Sequence, residues 1–230
     1  MTPKQRVAVM TAIFAAFGIG VSVVIIAAGG GFSGSGPSIF NPPTSADIWV
    51  VGDHINNGTE LEYTLTSKTE SSELDSARAS MSYSNSGNDW KVKFVVVNGT
   101  SEPVEKTIMM SKELTREGEL DDSFKPYFDP IQSSIFHVRE MEYGQSPKYL
   151  VESAPWDEIY YQSSKVIVRV TGKEQVQTPA GTFEAFVLSY KLAENTSKIW
   201  VVKDKPLPVK AQVFDSDDKL QYQYELVRAV

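Results

Sequence analysis

Polar and apolar positions alternate with period two along most of the chain. Leu61, Tyr63 and Leu65 alternate with Glu62, Thr64 and Thr66, and Ala77, Ala79, Met81 and Tyr83 alternate with Arg78, Ser80, Ser82 and Ser84. Trp90, Val92, Phe94 and Val96 share one side with Lys91 and Lys93 opposite, and Leu220, Tyr222, Tyr224 and Leu226 repeat the pattern near the C-terminus. One wet and one dry face is the mark of antiparallel strands, because parallel strands are usually covered on both sides. Further strands are expected at 104–110, 165–177, 182–191, 198–203 and 209–214. The pattern predicts a mainly β (α+β) domain of about nine or ten antiparallel strands.

One segment has a different period. "DPIQSSIFHVREM" (129–141) sets Ile131, Ile135 and Val138 at i, i+4 and i+7, with Asp129 as N-cap and Pro130 at the first helical position. A short amphipathic helix is expected there, packed on the dry face. Turn chemistry joins the strands: "SNSGND" (84–89), "DSDDK" (215–219), and Thr178-Pro179-Ala180-Gly181. The last suits a type I turn in a three-residue hairpin loop, with Gly181 at positive φ.

The first 46 residues follow other rules. Val7 to Gly30 contains no charged residue. That run is long enough to cross a bilayer, which takes about 20 apolar residues. It reads as an uncleaved signal anchor, and Ala27-Ala28-Gly29 leaves a cleaved signal as the alternative. Lys4 and Arg6 precede it and the first charge beyond it is Asp47. The positive-inside rule then puts residues 1–6 in the cytoplasm and the 47–230 domain outside, at the cell membrane. Residues 31–46, rich in Gly, Ser and Pro, form a linker with a reach of roughly 20 to 25 Å. Sequons at Asn57, Asn98 and Asn195 are glycosylation candidates in an outside domain, although each also reads as a plain turn.

Composition narrows the function. All 29 acidic residues but only 20 of the 22 basic ones lie beyond residue 46, so the domain is more acidic than the chain's net −7. Such a surface repels phosphate backbones, so no nucleic-acid partner is expected. With no cysteine there is no disulfide, thiolate metal site or cysteine nucleophile. The two histidines, His54 (next to Asp53) and His137, are candidate handles for a hydrolase, and no nucleophile-elbow motif accompanies them. Asp215, Asp217 and Asp218 lack the glycine and distal glutamate of a calcium loop and read as a hairpin turn. No catalytic residue, metal ligand or cofactor is assigned.

What remains is apolar. Trp90, Phe94, Met109, Ile135, Tyr222 and Tyr224 are candidate ligand-facing residues, on a curved sheet able to hold an acyl chain or to form its own core. The runs "VTGKEQVQTPAGTFEAFVLSYKL" (170–192) and "SKIWVVKDKPLPVKAQVFDSDDKLQYQYELV" (197–227) resemble a group of uncharacterised archaeal membrane-anchored secreted proteins. More loosely, they resemble envelope lipoprotein carriers of the LolA/LppX type. That resemblance rests on Pro179 to Phe183, Trp200, Pro206 to Lys210, and Tyr222-Tyr224-Leu226. It implies an unclosed half-barrel with a helix on its concave face and, in some relatives, a lipid site. The expected role is a non-catalytic envelope binding module with a lipid or an envelope protein as partner. The alternative is a structural partner of a membrane or surface-layer complex with no pocket.

Overall fold

A computed structural model describes residues 44–69, 72–138, 148–161 and 164–230. The expected signal anchor and nearly all of the linker lie outside these residues. Among the described residues no helix is long and apolar enough to cross a membrane.

Eleven strands form one antiparallel sheet: β1 Glu60–Thr69, β2 Ser72–Ser86, β3 Asp89–Asn98, β4 Val104–Met110, β5 Arg116–Glu117, β6 Pro155–Tyr161, β7 Ser164–Thr178, β8 Gly181–Lys191, β9 Thr196–Val201, β10 Lys210–Phe214 and β11 Leu220–Ala229. Among the described residues a single α-helix, α1 (Lys125–Val138), follows β5, and a short 3-10 turn (Ser45–Asp47) precedes β1. The spatial order is β5-β4-β3-β2-β1-β11-β10-β9-β8-β7-β6. Two meanders, β1 to β5 and β6 to β11, are therefore joined by pairing of the first strand with the last. Among the described residues β5 and β6 are the two edge strands, and the chain between them includes α1, which packs on β1, β2, β11 and β6.

The sheet is strongly curled. On a flat sheet β6 would lie roughly 19 Å from β10, at about 4.8 Å per strand. Yet the Tyr161 hydroxyl of β6 meets Ser216 Oγ, in the β10–β11 loop, at 2.6 Å. At the tip of the β7–β8 hairpin, the Ala180 N–H donates to the Leu226 carbonyl of β11 at 3.1 Å. One bend is visible in β7, where the register shifts between Val170 and Gly172 and Gly172 takes φ +138. A side chain there would be strained, so glycine lets the long strand turn.

Three expectations need correction. The hairpin at 178–181 has a two-residue loop, Pro179-Ala180, because pairing continues up to Thr178 and Gly181. Thr178 Oγ1 accepts the Ala180 N–H at 3.2 Å, which stabilises the tighter turn. The helix begins at Lys125, so Asp129 is not its N-cap and Pro130 lies inside it. Pro126, in the first turn, occupies the place that tolerates a missing N–H, and the apolar row extends back to Phe128 and Phe124. The expected end at Met141 falls outside the described residues. Finally, the described residues form eleven strands. β5 is too short to read, and β6 ("PWDEIYY") has a register shift between Pro155 and Asp157 that destroys its alternation.

The dry faces meet as expected. Phe128 packs edge-on against Phe94 with ring centroids 5.4 Å apart, and Phe124 lies 6.3 Å from the same ring. Phe128, Ile131, Ser134 and Ile135 are all buried, so the concave space under α1 is filled by protein.

Candidate ligand cleft on the concave face

The side chains of β3 and β11 settle which residues face the helix. Phe94, Ile135, Tyr222 and Tyr224 are buried together in the core, and Trp90 lies at its margin. Met109 points the other way. It pairs with Lys91, while Met110 pairs with Trp90 and is fully buried. In "TIMM" either register looks equally apolar, so the sequence alone does not choose between the two methionines.

Within the core, α1 meets β11 through polar groups. Ser134 Oγ and the Tyr222 hydroxyl are 3.0 Å apart and both are buried. Tyr222 and Tyr224 stack in parallel with centroids 6.4 Å apart, and Tyr63 meets Tyr224 edge-on. Tyr63 donates to the Pro208 carbonyl at 3.2 Å. The Tyr224 hydroxyl is buried without a hydrogen-bond partner among the described residues. Burial raises the pKa of all three phenols, so they stay neutral.

A paired buried hydroxyl and an orphaned one should respond oppositely to deletion. Tyr222→Phe removes the buried hydrogen bond that joins α1 to β11 and is expected to cost about 1–2 kcal/mol. Tyr224→Phe removes an unsatisfied group and is expected to stabilise by about 1 kcal/mol. Urea unfolding of the two variants checks the difference in sign.

Beside the first two turns of α1 the packing opens. A cleft of about 620 Å³ lies between the helix and β1/β11. Its floor includes Ser67, Pro130 and Tyr222, and Asp122, Lys125 and Asp129 are at its mouth. Lys125 Nζ holds Asp122 at 2.6 Å. Partial burial raises the pKa of Asp129, against the opposing pull of Arg116 and Lys125. The lining is thus mixed, with an apolar wall and a charged rim. Of the six candidate ligand-facing residues only Tyr222 lines this cleft, because its residues come from three separate segments and form no motif.

The two histidines have separate surroundings. His54 Nε2 lies 3.2 Å from the Lys203 carbonyl in an exposed loop. His137 Nδ1 is buried 4.0 Å from Asp157 Oδ2, and its ring packs 5.6 Å from Tyr190. Burial pushes the His137 pKa down to about 4. In the 215–219 turn the acids hold backbone: Asp215 Oδ1 accepts the Asp217 and Lys219 N–H groups, and Asp218 accepts those of Glu194 and Asn195. No group of three or more His, Asp or Glu among the described residues is arranged to hold a metal. The sequon asparagines are all exposed. Asn98 Nδ2 donates to the Tyr127 hydroxyl and Asn195 Nδ2 to the Asp218 carbonyl, while Asn57 Oδ1 accepts the Asn85 N–H.

Residues 57–225, from the turn before β1 to the middle of β11, match the model of a family described as a protein of unknown function, DUF3108. The chain belongs to the DUF3108 family. No curated protein matches it. Among solved structures, this DUF3108 chain is similar to an exported protein with a YmcC-like fold from Bacteroides fragilis, at 10% identity and TM-score 0.36, covering 80% of this chain and 99% of that one. It is also similar to a structure of the Pseudomonas aeruginosa MucA/MucB complex, at 12% identity and TM-score 0.40, covering 77% of this chain and 52% of that one. A third is a DUF1329 family protein from Desulfovibrio piger, at 10% identity and TM-score 0.26, covering 76% and 86%. At these scores the likenesses carry no functional argument for the DUF3108 chain. Its resemblance to archaeal secreted proteins gains no support from them.

Proposed function

We propose that this DUF3108 domain is a non-catalytic binding module of the cell envelope that holds one small amphiphilic molecule in the cleft beside α1. The observation that carries this reading is the cleft itself: about 620 Å³ of space between the first turns of α1 and strands β1 and β11. Its volume falls within the range of small-molecule sites, and an apolar wall with a few convergent polar groups suits a ligand with one greasy and one polar end. The tether to the membrane and the placement outside the cytoplasm rest on the uncharged Val7 to Gly30 run and its basic flank. The ligand sits beside the helix, since the space beneath it is filled. Hydrolysis through His54 or His137 finds no support in their surroundings, a backbone carbonyl for one and a buried carboxylate 4.0 Å away for the other.

The test is mass spectrometry of an organic extract from the full chain, purified from a membrane-containing host. A stoichiometric amphiphile is expected from the natural chain. Ser133→Trp, which places a bulky ring in the lining of the cleft, should lose it while the variant still unfolds cooperatively on heating. A clean extract, with no thermal shift on adding fatty acids or lysolipids, overturns the ligand reading. The alternative would then be a protein partner at the β6 edge, where Tyr160 is 75% exposed.

A further inference from the structure

A second cleft lies apart from the first in the fold, where the loop before β1 meets the start of β3 and the chain after β4. It has a volume of about 370 Å³ and is lined by Trp90, Lys112, Asp53, Glu113 and the backbone around Gly52. The Lys112 ammonium sits on the face of the Trp90 ring, 3.2 Å from its centroid. The other lysine–aromatic contacts among the described residues range from 4.7 to 5.9 Å. Several of those lysines also hold a carboxylate, such as Lys173 with Glu184 and Lys210 with Glu225. The contacts of Lys112 are different: the Trp90 ring and, at 3.1 Å, the amide oxygen of Asn85.

The site is rigidly built. Tyr83 meets Trp90 edge-on at 6.1 Å and holds the indole from behind. Trp90 is paired on both sides, with Asn85 of β2 and Met110 of β4. The opposite wall is pinned by the Gly52 N–H, which donates to the Pro206 carbonyl at 2.7 Å. Gly52 takes φ +88, and a Cβ there would come 3.1 Å from Leu114, so the wall depends on glycine. The result is an indole face and an adjoining space whose lining includes the acidic residues Asp53 and Glu113.

An aromatic face beside acidic groups attracts a large, weakly hydrated cation, and tryptophan does so best. Here the chain's own ammonium occupies that face and stands in for the ligand's nitrogen. We propose that this cleft is a second binding site, for an organic cation of the methylated-ammonium class, with Lys112 as an internal occupant that the ligand displaces. A methylated ammonium has little hydration to lose, whereas Lys112 can swing out on its flexible stem and regain water. Asp53, an exposed acidic residue of the lining, favours a cation in the space beside the ring. The nitrogen can belong to a free small molecule or to a phosphocholine headgroup.

The indole N–H signals of the four tryptophans in the full detergent-solubilised chain report on the site, with Trp90→Phe used to assign its signal. Choline chloride and a short-chain phosphocholine below its micelle concentration are titrated at constant ionic strength. The Trp90 signal is expected to shift saturably. Lys112→Ala should lower the half-saturating concentration by roughly five- to thirtyfold, the worth of one displaced cation–π contact. Asp53→Asn should raise it. Both substitutions are at exposed positions, so the fold is not at stake. Saturation by choline itself identifies a free cation, and saturation by the phosphocholine alone identifies a headgroup. If Trp90 in Lys112→Ala responds to neither, or responds equally to ammonium chloride, the proposal is wrong. Ser133→Trp should leave this titration unchanged, which separates it from the cleft beside α1.

Discussion

Phe128→Ala is expected to lower the stability of the domain by about 3–5 kcal/mol, which for a domain of this size lowers the melting temperature by roughly 10 °C. Phe128 is the aromatic centre of the contact between α1 and the sheet. It is 1% exposed and stands edge-on to Phe94 at 5.4 Å. Truncation loses the transfer free energy of the ring and leaves a cavity between a helix and a sheet held in register by ten strand pairings. The neighbouring core offers little to refill it, because Phe94 and Ile131 are themselves fully packed. Calorimetry of the variant checks the figure. A loss of less than about 1 kcal/mol would mean that the helix is only loosely seated.

Acid should weaken the fold through His137. Its side chain is 16% exposed and burial pushes its pKa down to about 4, from an ordinary value of 6.5. The sign follows from which state takes the proton. Above pH 6.5 the imidazole is neutral whether the chain is folded or not, and its contribution does not vary. Between pH 6.5 and about 4 the unfolded chain binds a proton that the folded chain refuses, so stability falls as pH falls. The full loss across that window is about 3 kcal/mol. Asp157, 4.0 Å away, is too distant for a hydrogen bond to offset the cost of burial. His137→Phe should flatten this window in a series of urea melts. An unchanged slope would show that the imidazole protonates in place.

The legible parts of the fold were those governed by neighbours along the chain. The alternation in β1, β2, β3 and β11 gave the right face for Phe94, Tyr222 and Tyr224, because strand geometry enforces a period of two wherever one face is buried. Where local patterning was degenerate the sequence misled. Asp129-Pro130 looks like a helix start, yet Lys125-Pro126 one turn earlier serves that role and the apolar row continues through Phe128. Met109 and Met110 are chemically alike, and only pairing with Lys91 and Trp90 separates them. β6 stayed hidden because its half-buried side mixes Asp157 with Ile159 and Tyr161, and the register shift between Pro155 and Asp157 breaks the pattern with Trp156.

Neither cleft could be read along the chain. One takes Ser67 from β1, Lys125, Pro130 and Ser133 from α1 and its start, and Tyr222 from β11. The other brings Asp53 from a loop to Trp90 on β3 and Lys112 beyond β4. Short-range patterning determined the antiparallel strands, the existence of the helix and the uncharged N-terminal run, since hydrogen-bond geometry and desolvation act on successive residues. Tertiary structure alone decided the pairing of β1 with β11, the curl that brings Tyr161 to Ser216, and the filling of the concave face by α1. These depend on contacts between residues up to 168 positions apart, whose energies no local pattern encodes.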